Sequence, residues 1–199
     1  ARFSKIELKH LAVSIGVMSL AVAWNRDWNM TLFMLIPSLI ILAPAFAFHE
    51  LAHKFAAQKY GFFAEYRMWK NGLIAALAMA VITTLMGSKF LFIAPGAVYF
   101  SGRHAFHGTM EEIGKIGFAG PITNIGMVAI FGLISLLSTN ALVAGIATTG
   151  VYVNAFLAVF NLIPFGPLDG KKVLSWNRTY WGVALAIGLS ALLFAEVLI

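Results

Sequence analysis

Long apolar stretches constrain this chain more than any other feature of its sequence. Five of them are long enough to cross a membrane as helices, at residues 6–24, 30–58, 116–137, 141–163 and 179–199. A helical span takes about 20 apolar residues. Hydrophobic residues make up 60% of the chain and charged residues only 11%, a balance that excludes a soluble domain. We predict a mostly α-helical, polytopic membrane bundle that forms one integral membrane domain over residues 1–199.

The region between the second and third spans follows a different pattern. Residues 73–86 form an apolar run that is short for a full span, so we expect a re-entrant or interfacial helix there. Residues 62–69 and 90–100 are aromatic and partly alternating, which predicts two strands. We therefore predict a small membrane-associated β-hairpin or sheet beside the short helix. Residues 164–178 are polar and rich in turn formers.

The basic residues predict how the chain is oriented in the membrane. If residues 73–86 do not cross alone, 13 lysines and arginines fall on one face and only Arg26 on the other. If they do cross, the count becomes 7 on each face. Cytoplasmic loops are enriched in lysine and arginine. Five crossings are therefore favoured for a multi-pass cell-membrane protein, with the N-terminus and the 164–178 segment in the cytoplasm. Basic residues scattered at span ends do not favour nucleic acid as a partner.

Two histidines and a glutamate stand inside the second apolar stretch, in the pattern H-E-x-x-H. His49 and His53 are four residues apart, so they share one face of a helix and can bind one metal ion. Glu50 follows the first histidine, where a carboxylate can take a proton from metal-bound water. This pattern is typical of zinc metalloproteases. Ionisable groups inside a span are costly and usually functional, which favours a metal site over a pair of core histidines.

A tetrahedral zinc site requires a further protein ligand besides two histidines. The chain has no cysteine, so this ligand is a carboxylate or another histidine. The two aspartates are Asp27, which five crossings place in an outside loop, and Asp169, which they place at the depth of the histidines. His104 and His107 are the competing ligands, because H-x-x-H also occurs in metal sites.

Three motifs in this order resemble the site-2 protease family of intramembrane zinc metalloproteases. They are H-E-x-x-H at residues 49–53, G-P-x-x-N at 120–124 and N-x-x-P-x-x-x-L-D-G at 161–170. The resemblance covers residues 30–178, which we take as the catalytic core, and it is weaker between 71 and 110. Two departures concern the shape of the last motif. Gly166 stands where family members often have proline, and Lys171 stands where a second glycine is common.

The resemblance implies a metalloendopeptidase that cleaves peptide bonds in or near the transmembrane helices of substrate proteins. It implies that His49, His53 and Asp169 bind one zinc ion. Glu50 is then the general base, and Asn161 helps to hold the substrate backbone near the metal.

A protease of this kind needs an extended substrate, and an extended chain adds most readily to an exposed sheet edge. The strand predicted over residues 90–100 is aromatic and β-branched, and it contains a proline, which is tolerated mainly at edges and bulges. We therefore take Gly96 and Val98 as candidate substrate-binding residues. An ordinary hairpin packed on the bundle is the alternative.

Two further functions are compatible with the same ligands. A zinc-binding membrane transporter would move metal and would not need Glu50, but the apolar stretches contain few polar residues to form a transport route. A proteolytically inactive relative would bind substrates without cleaving them, and the intact Glu50 argues against it.

Overall fold

The computed structural model describes residues 3–87, 95–101 and 108–198. Seven helices are present in these ranges: α1 (Lys5–Ala23), α2 (Trp28–Lys59), α3 (Lys70–Leu85), α4 (Met110–Leu137), α5 (Ala141–Asn161), α6 (Asp169–Trp176) and α7 (Arg178–Leu198). The strands β1 (Phe63–Met68) and β2 (Gly96–Ser101) pair in a two-stranded sheet. The predicted helical class with a small sheet is therefore confirmed.

Five of the helices are long and apolar enough to cross a membrane, namely α1, α2, α4, α5 and α7. They correspond to the five predicted stretches. The short apolar run became α3, which has 16 residues and lies between the two strands. The second strand begins at Gly96 in the described part of the chain, and residues 90–94 of its predicted range lie outside that part.

The largest differences from the predictions are an earlier start of α4 and an additional helix, α6. Helix α4 begins at Met110, ahead of residue 116, because Thr109 and Glu112 form a capping box. The Thr109 hydroxyl accepts from the Glu112 amide at 3.2 Å, and the Glu112 carboxylate accepts from the Thr109 amide at 2.8 Å. Residues 164–178 were predicted to be polar and turn-rich, but the eight residues of α6 form a helix within them.

The chain divides into two compact units, and the first comprises Ala1–Ala47 and Glu65–Tyr99. In this unit α1 packs against α3, and polar side chains of α1 bond to β1. The Glu7 carboxylate accepts from the Tyr66 amide at 3.1 Å, and Ser14 bonds to the Tyr66 hydroxyl at 2.8 Å. Glu7 and Ser14 are fully buried. Helix α1 thus has a partly polar buried face, and this face bonds to β1.

The second unit comprises Phe48–Ala64 and Phe100–Ile199. Helix α4 is central in it, because it packs against α5, α6 and α7. Gly150 of α5 allows close packing on α4, since a β-carbon at this position would lie 2.5 Å from the Phe131 ring. The second unit contains the last three turns of α2, and with them the H-E-x-x-H motif.

Candidate metal centre

Helix α2 carries His49 and His53 on successive turns, and it continues through Pro37 and Pro44. At 1.5 Å per residue, His49 lies roughly 31 Å along the helix axis from its start. Both histidines are buried, and their ring centroids lie 4.7 Å apart in an edge-to-face arrangement. The i, i+4 spacing therefore brings both rings to one buried face of α2, as predicted.

Asp169 is the first residue of α6, and its buried carboxylate lies beside the two histidines. The loop before it is fixed by Trp181 of α7, whose indole N–H donates to the Leu162 carbonyl at 2.7 Å. Gly170 packs closely against the Leu162 carbonyl, since a β-carbon at residue 170 would lie 2.0 Å from its oxygen. The L-D-G sequence thus needs its glycine for close approach to the end of α5.

The backbone conformation of Gly166 accounts for one departure from the family that the motifs resemble, namely glycine in place of proline. Its φ is 58°, in the left-handed region that favours glycine. Proline cannot adopt this conformation, because its ring fixes φ near about −65°. The loop before Asp169 therefore has a backbone path that depends on glycine where relatives often carry proline.

Three potential ligand atoms converge in the second unit. His53 Nε2 lies 3.0 Å from Asp169 Oδ2, and His49 Nε2 lies 3.5 Å from the same oxygen. The two Nε2 atoms are 3.0 Å apart. A tetrahedral zinc ion about 2.0–2.1 Å from each ligand requires ligand atoms separated by roughly 3.3 Å. The trio therefore has the spacing of three zinc ligands.

Hydrogen bonding to His53 leaves its Nε2 atom available as a metal ligand. Its Nδ1 lies 2.7 Å from the Ile116 carbonyl, which can only accept, so Nδ1 carries the hydrogen. In the neutral ring Nε2 is then a bare lone pair, and it faces the Asp169 carboxylate. Two lone-pair atoms at this distance repel each other unless a cation or a proton lies between them.

Gly120 of α4 leaves space for such an ion. A β-carbon at this position would lie 2.4 Å from His53 Nε2 and 2.6 Å from His49 Nε2, which are close to metal–ligand distances. Any side chain at residue 120 would clash with the Nε2 atoms of both histidines. The described residues thus fit one zinc ion held by His49, His53 and Asp169.

Lys172 completes the surroundings of Asp169. Its ammonium donates to Oδ1 at 2.9 Å, which leaves Oδ2 directed at the histidines. Burial raises the pKa of the Asp169 carboxyl, but when the facing His53 and His49 rings are protonated toward it, those rings and the Lys172 ammonium outweigh burial and hold that pKa well below its usual range. The carboxyl is therefore ionised, as a metal ligand must be.

Three residues of the centre were missed by sequence reasoning. Gly120 and Asn124 belong to the G-P-x-x-N motif, and the Asn124 side-chain oxygen lies 2.5 Å from His49 Nδ1. The motif was a signal for both, although it did not indicate what they touch. Lys172 was missed because residues 164–178 were read as turns, whereas in the helix α6 the i, i+3 spacing brings its ammonium to Asp169.

The other predicted site residues lie at separate positions. Glu50 is buried on α2, next to His49, and does not belong to the ligand trio. Asn161 ends α5, and its side-chain amide donates to the Leu157 carbonyl at 2.9 Å. His104 and His107 lie outside the described residues.

Gly96 and Val98 lie on β2, in the first unit. Gly96 has a φ of 153°, and a β-carbon on it would lie 2.3 Å from the Arg67 carbonyl. Packing of the two strands therefore accounts for this glycine without a substrate. Val98 is half-buried, and its neighbours Ala97 and Tyr99 are exposed.

Fold and site together define a helical, multi-pass membrane protein with a buried His–His–Asp centre for one metal ion. A Methanocaldococcus jannaschii protein named "Putative zinc metalloprotease MJ0611" is 39% identical over 184 residues, which cover 92% of this chain and 90% of that protein. The Mycobacterium tuberculosis protein named "Putative zinc metalloprotease Rip3" is 30% identical over 159 residues, which cover 76% of this chain and 34% of that protein.

The chain belongs to the zinc metalloprotease family of these relatives, which is consistent with the site-2 protease family that its motifs resemble. No family model matches the chain. No solved structure matches it either.

Proposed function

We propose that this chain is an intramembrane zinc metalloendopeptidase that hydrolyses peptide bonds in or near the transmembrane helices of substrate proteins. The observation that carries the proposal is the position of the ligands. His49 and His53 lie on a helix long and apolar enough to cross a membrane, and they meet Asp169 at distances suited to one metal ion. A metal centre on such a helix can act on peptide bonds inside the membrane, which soluble proteases do not reach.

Metal binding and proton transfer are assigned to different residues. His49, His53 and Asp169 hold the zinc ion. When bound, zinc supplies a Lewis acid that polarises the substrate carbonyl and makes water more acidic. Glu50 accepts the proton of the attacking water on its carboxylate. The same proton then passes from Glu50 to the amide nitrogen as the peptide bond breaks, so Glu50 returns to its starting state.

Three residues are proposed to hold the substrate. Asn161 has one side-chain N–H on the Leu157 carbonyl, and its second N–H is the donor proposed for the substrate backbone. Val98 and Gly96 would offer backbone groups of β2 to an extended substrate. A substrate helix must unwind locally for this, because helical peptide bonds are shielded and internally bonded.

We also propose an orientation for the protein in the cell membrane. The bias of 13 basic residues against 1 supports a cytoplasmic N-terminus and a metal centre that opens toward the cytoplasmic side. Water would then enter along the polar segment 161–178. Transmembrane proteins and the lipid bilayer are the proposed partners, and nucleic acid is not.

The decisive experiment compares the purified protein with its Glu50→Gln variant on a panel of single-span substrates, with and without a zinc chelator. Glu50→Gln should keep its zinc and lose cleavage by about 10²–10⁴-fold, because the amide cannot accept the proton. Glu111→Gln is the matched control, since Glu111 is an exposed glutamate at the start of α4.

Cleavage by Glu50→Gln within tenfold of the wild-type rate would refute the proposed base. Zinc flux into liposomes that does not depend on Glu50 would instead support a transporter. Substrate binding by the wild-type protein without any cleavage would support an inactive relative.

A further inference from the structure

Helix α6 carries Asp169 at the metal centre, and the same face of this helix packs against its neighbours. Asp169, Val173 and Trp176 are spaced i, i+4 and i+7, so they share one face of α6. Val173 is fully buried in a core cluster with Leu162 and Ala184. An isolated helix of eight residues is not stable in water, so the position of α6 depends on this packing.

Three glycines of α4 follow one another at intervals of three residues and face α6 and the histidines. A β-carbon on Gly114 would lie 2.1 Å from Trp176 Cβ, and one on Gly117 would lie 3.0 Å from Lys172 Cβ. Gly120 lies as close to the two histidine rings. The helices α4 and α6 therefore run in opposite directions over this stretch. At 1.5 Å per residue its length is about 9 Å along α4 and about 10.5 Å along α6, so the two helices match.

Trp176 lies at the opposite end of α6 from Asp169 and contacts two other helices. Its ring stacks on the Tyr180 ring of α7, with centroids 5.2 Å apart, and its centroid lies 6.3 Å from that of Phe118 of α4. Aromatic pairs prefer ring separations of about 4.5–7 Å. The Trp176 Cβ atom lies in the space that Gly114 leaves open. Trp176 thus joins the end of α6 to both α4 and α7.

We propose that Trp176 is a positioning residue for the metal centre, because it fixes the place of α6 along α4 and with it the place of Asp169. The first turn of α6 is held at the end of α5 by the close approach of Gly170 to the Leu162 carbonyl. A contact at one end alone leaves the direction of a rigid helix open. Trp176 provides a second contact two turns away, so that Asp169 Oδ2 stays 3.0 Å from His53 Nε2.

The three ligands then differ in how they are held. His49 and His53 belong to the long helix α2, whereas Asp169 belongs to a short helix that is held by contacts with α4, α5 and α7. Loosening of α6 should therefore weaken the contribution of Asp169 to zinc binding and leave that of the two histidines. The inference rests on the role of Asp169 as a zinc ligand in the proposed function.

The test is a double-mutant cycle on zinc affinity, measured for the purified full chain by competition with chelators of graded strength. Trp176→Ala should lower the affinity about tenfold, at the low end of the range for outer-shell residues of metal sites. In an Asp169→Ala background the same change should lower it by no more than about twofold, which is the scatter of additive effects. Effects of Trp176 that do not pass through Asp169 would instead multiply.

Trp176→Phe should keep the wild-type zinc affinity, because a phenyl ring can still contact Phe118 and Tyr180. Phe131→Ala is the matched control for the alanine variant. Phe131 of α4 packs against Gly150 of α5, an aromatic–glycine contact of the same kind between helices that carry none of the three proposed ligands. Phe131→Ala should therefore lower thermal stability without changing zinc affinity.

Gly114→Ala tests the same contact from α4. Its added methyl group would displace the Cβ atom of Trp176, so zinc affinity should fall about tenfold, and only where Asp169 is present. This variant keeps the test decisive if Trp176→Ala does not fold. Gly132→Ala on the same helix is its control, because a β-carbon there would lie 4.0 Å from Val151, an ordinary contact distance.

Equal losses for Trp176→Ala in the presence and in the absence of Asp169 would overturn the proposal, because they indicate a general loss of structure. Unchanged zinc affinity in a folded Trp176→Ala or Gly114→Ala protein would overturn it as well. Unchanged affinity in Asp169→Ala would refute the proposed ligand itself and this inference with it. A protein with all the expected affinities that cleaves no peptide would refute the proposed protease function and leave the inference intact.

Discussion

Gly120 of α4 stands so close to His53 of α2 that a β-carbon on the glycine would lie 2.4 Å from the Nε2 atom. Any side chain at this position would therefore clash with a ligand atom of the metal centre. The first residue of the G-P-x-x-N motif thus has a steric role in the centre.

Gly120→Ala should abolish zinc binding while leaving the helices intact, because the added methyl group would displace the Nε2 atoms of both histidines. Gly126→Ala on the same helix is the control, since a β-carbon there meets nothing within 4 Å. Zinc content of the purified variants, measured beside thermal stability, checks this expectation. A stoichiometric zinc ion in Gly120→Ala would contradict the site geometry.

Asp169→Ala should lower zinc affinity by more than the roughly 10–100-fold expected for an outer-shell change, because it removes a ligand atom itself. His104→Ala and His107→Ala should leave the affinity unchanged. Metal analysis of the three variants decides between the competing ligands named from the sequence. Unchanged zinc in the Asp169 variant would refute the proposed centre.

Lys172→Met should weaken zinc binding by about tenfold, because the ammonium no longer holds Asp169 Oδ1 and the carboxylate can turn away from the histidines. Methionine keeps the hydrocarbon chain, which packs near Gly117. Lys171→Met is the matched control, since Lys171 is exposed. Equal chelator-competition constants for the two variants would exclude a role for Lys172 in orienting the carboxylate.

Val98→Pro should sharply reduce cleavage while zinc content and thermal stability stay near the wild-type values, if β2 is the edge on which substrate docks. Proline removes a backbone donor and adds a ring that clashes with an incoming strand. Val98→Ala keeps the donor and should remain active. Full activity of a well-folded Val98→Pro protein would exclude this strand as the docking edge.

Single cysteines report the orientation of the chain, because the sequence contains no other cysteine. Cysteines placed at residues 4 and 175 should react with a membrane-impermeant reagent only from the cytoplasmic side. One placed after Ile199 should react only from outside, because five crossings put the two ends on opposite faces. Labelling of residues 4 and 199 from the same side would contradict the charge-based topology.

Features that depend on neighbours along the chain could be predicted from the sequence. The apolar stretches located the five long helices, since length and hydrophobicity are local properties. The i, i+4 spacing of His49 and His53 required a shared helix face, and only a helix was needed to bring them together. The start of α4 was also encoded locally, in the capping box at Thr109, but the apolar pattern concealed it.

Features that depend on packing between distant segments appear only in the tertiary structure. No local pattern indicates that Gly120 of α4 would face the histidines of α2, or that Asn154 of α5 would contact Asn124 of α4. Each of these contacts depends on how α4 packs against another helix. A buried polar group must find a partner, but its sequence position does not specify which distant residue provides it, because that choice follows from the packing of whole helices.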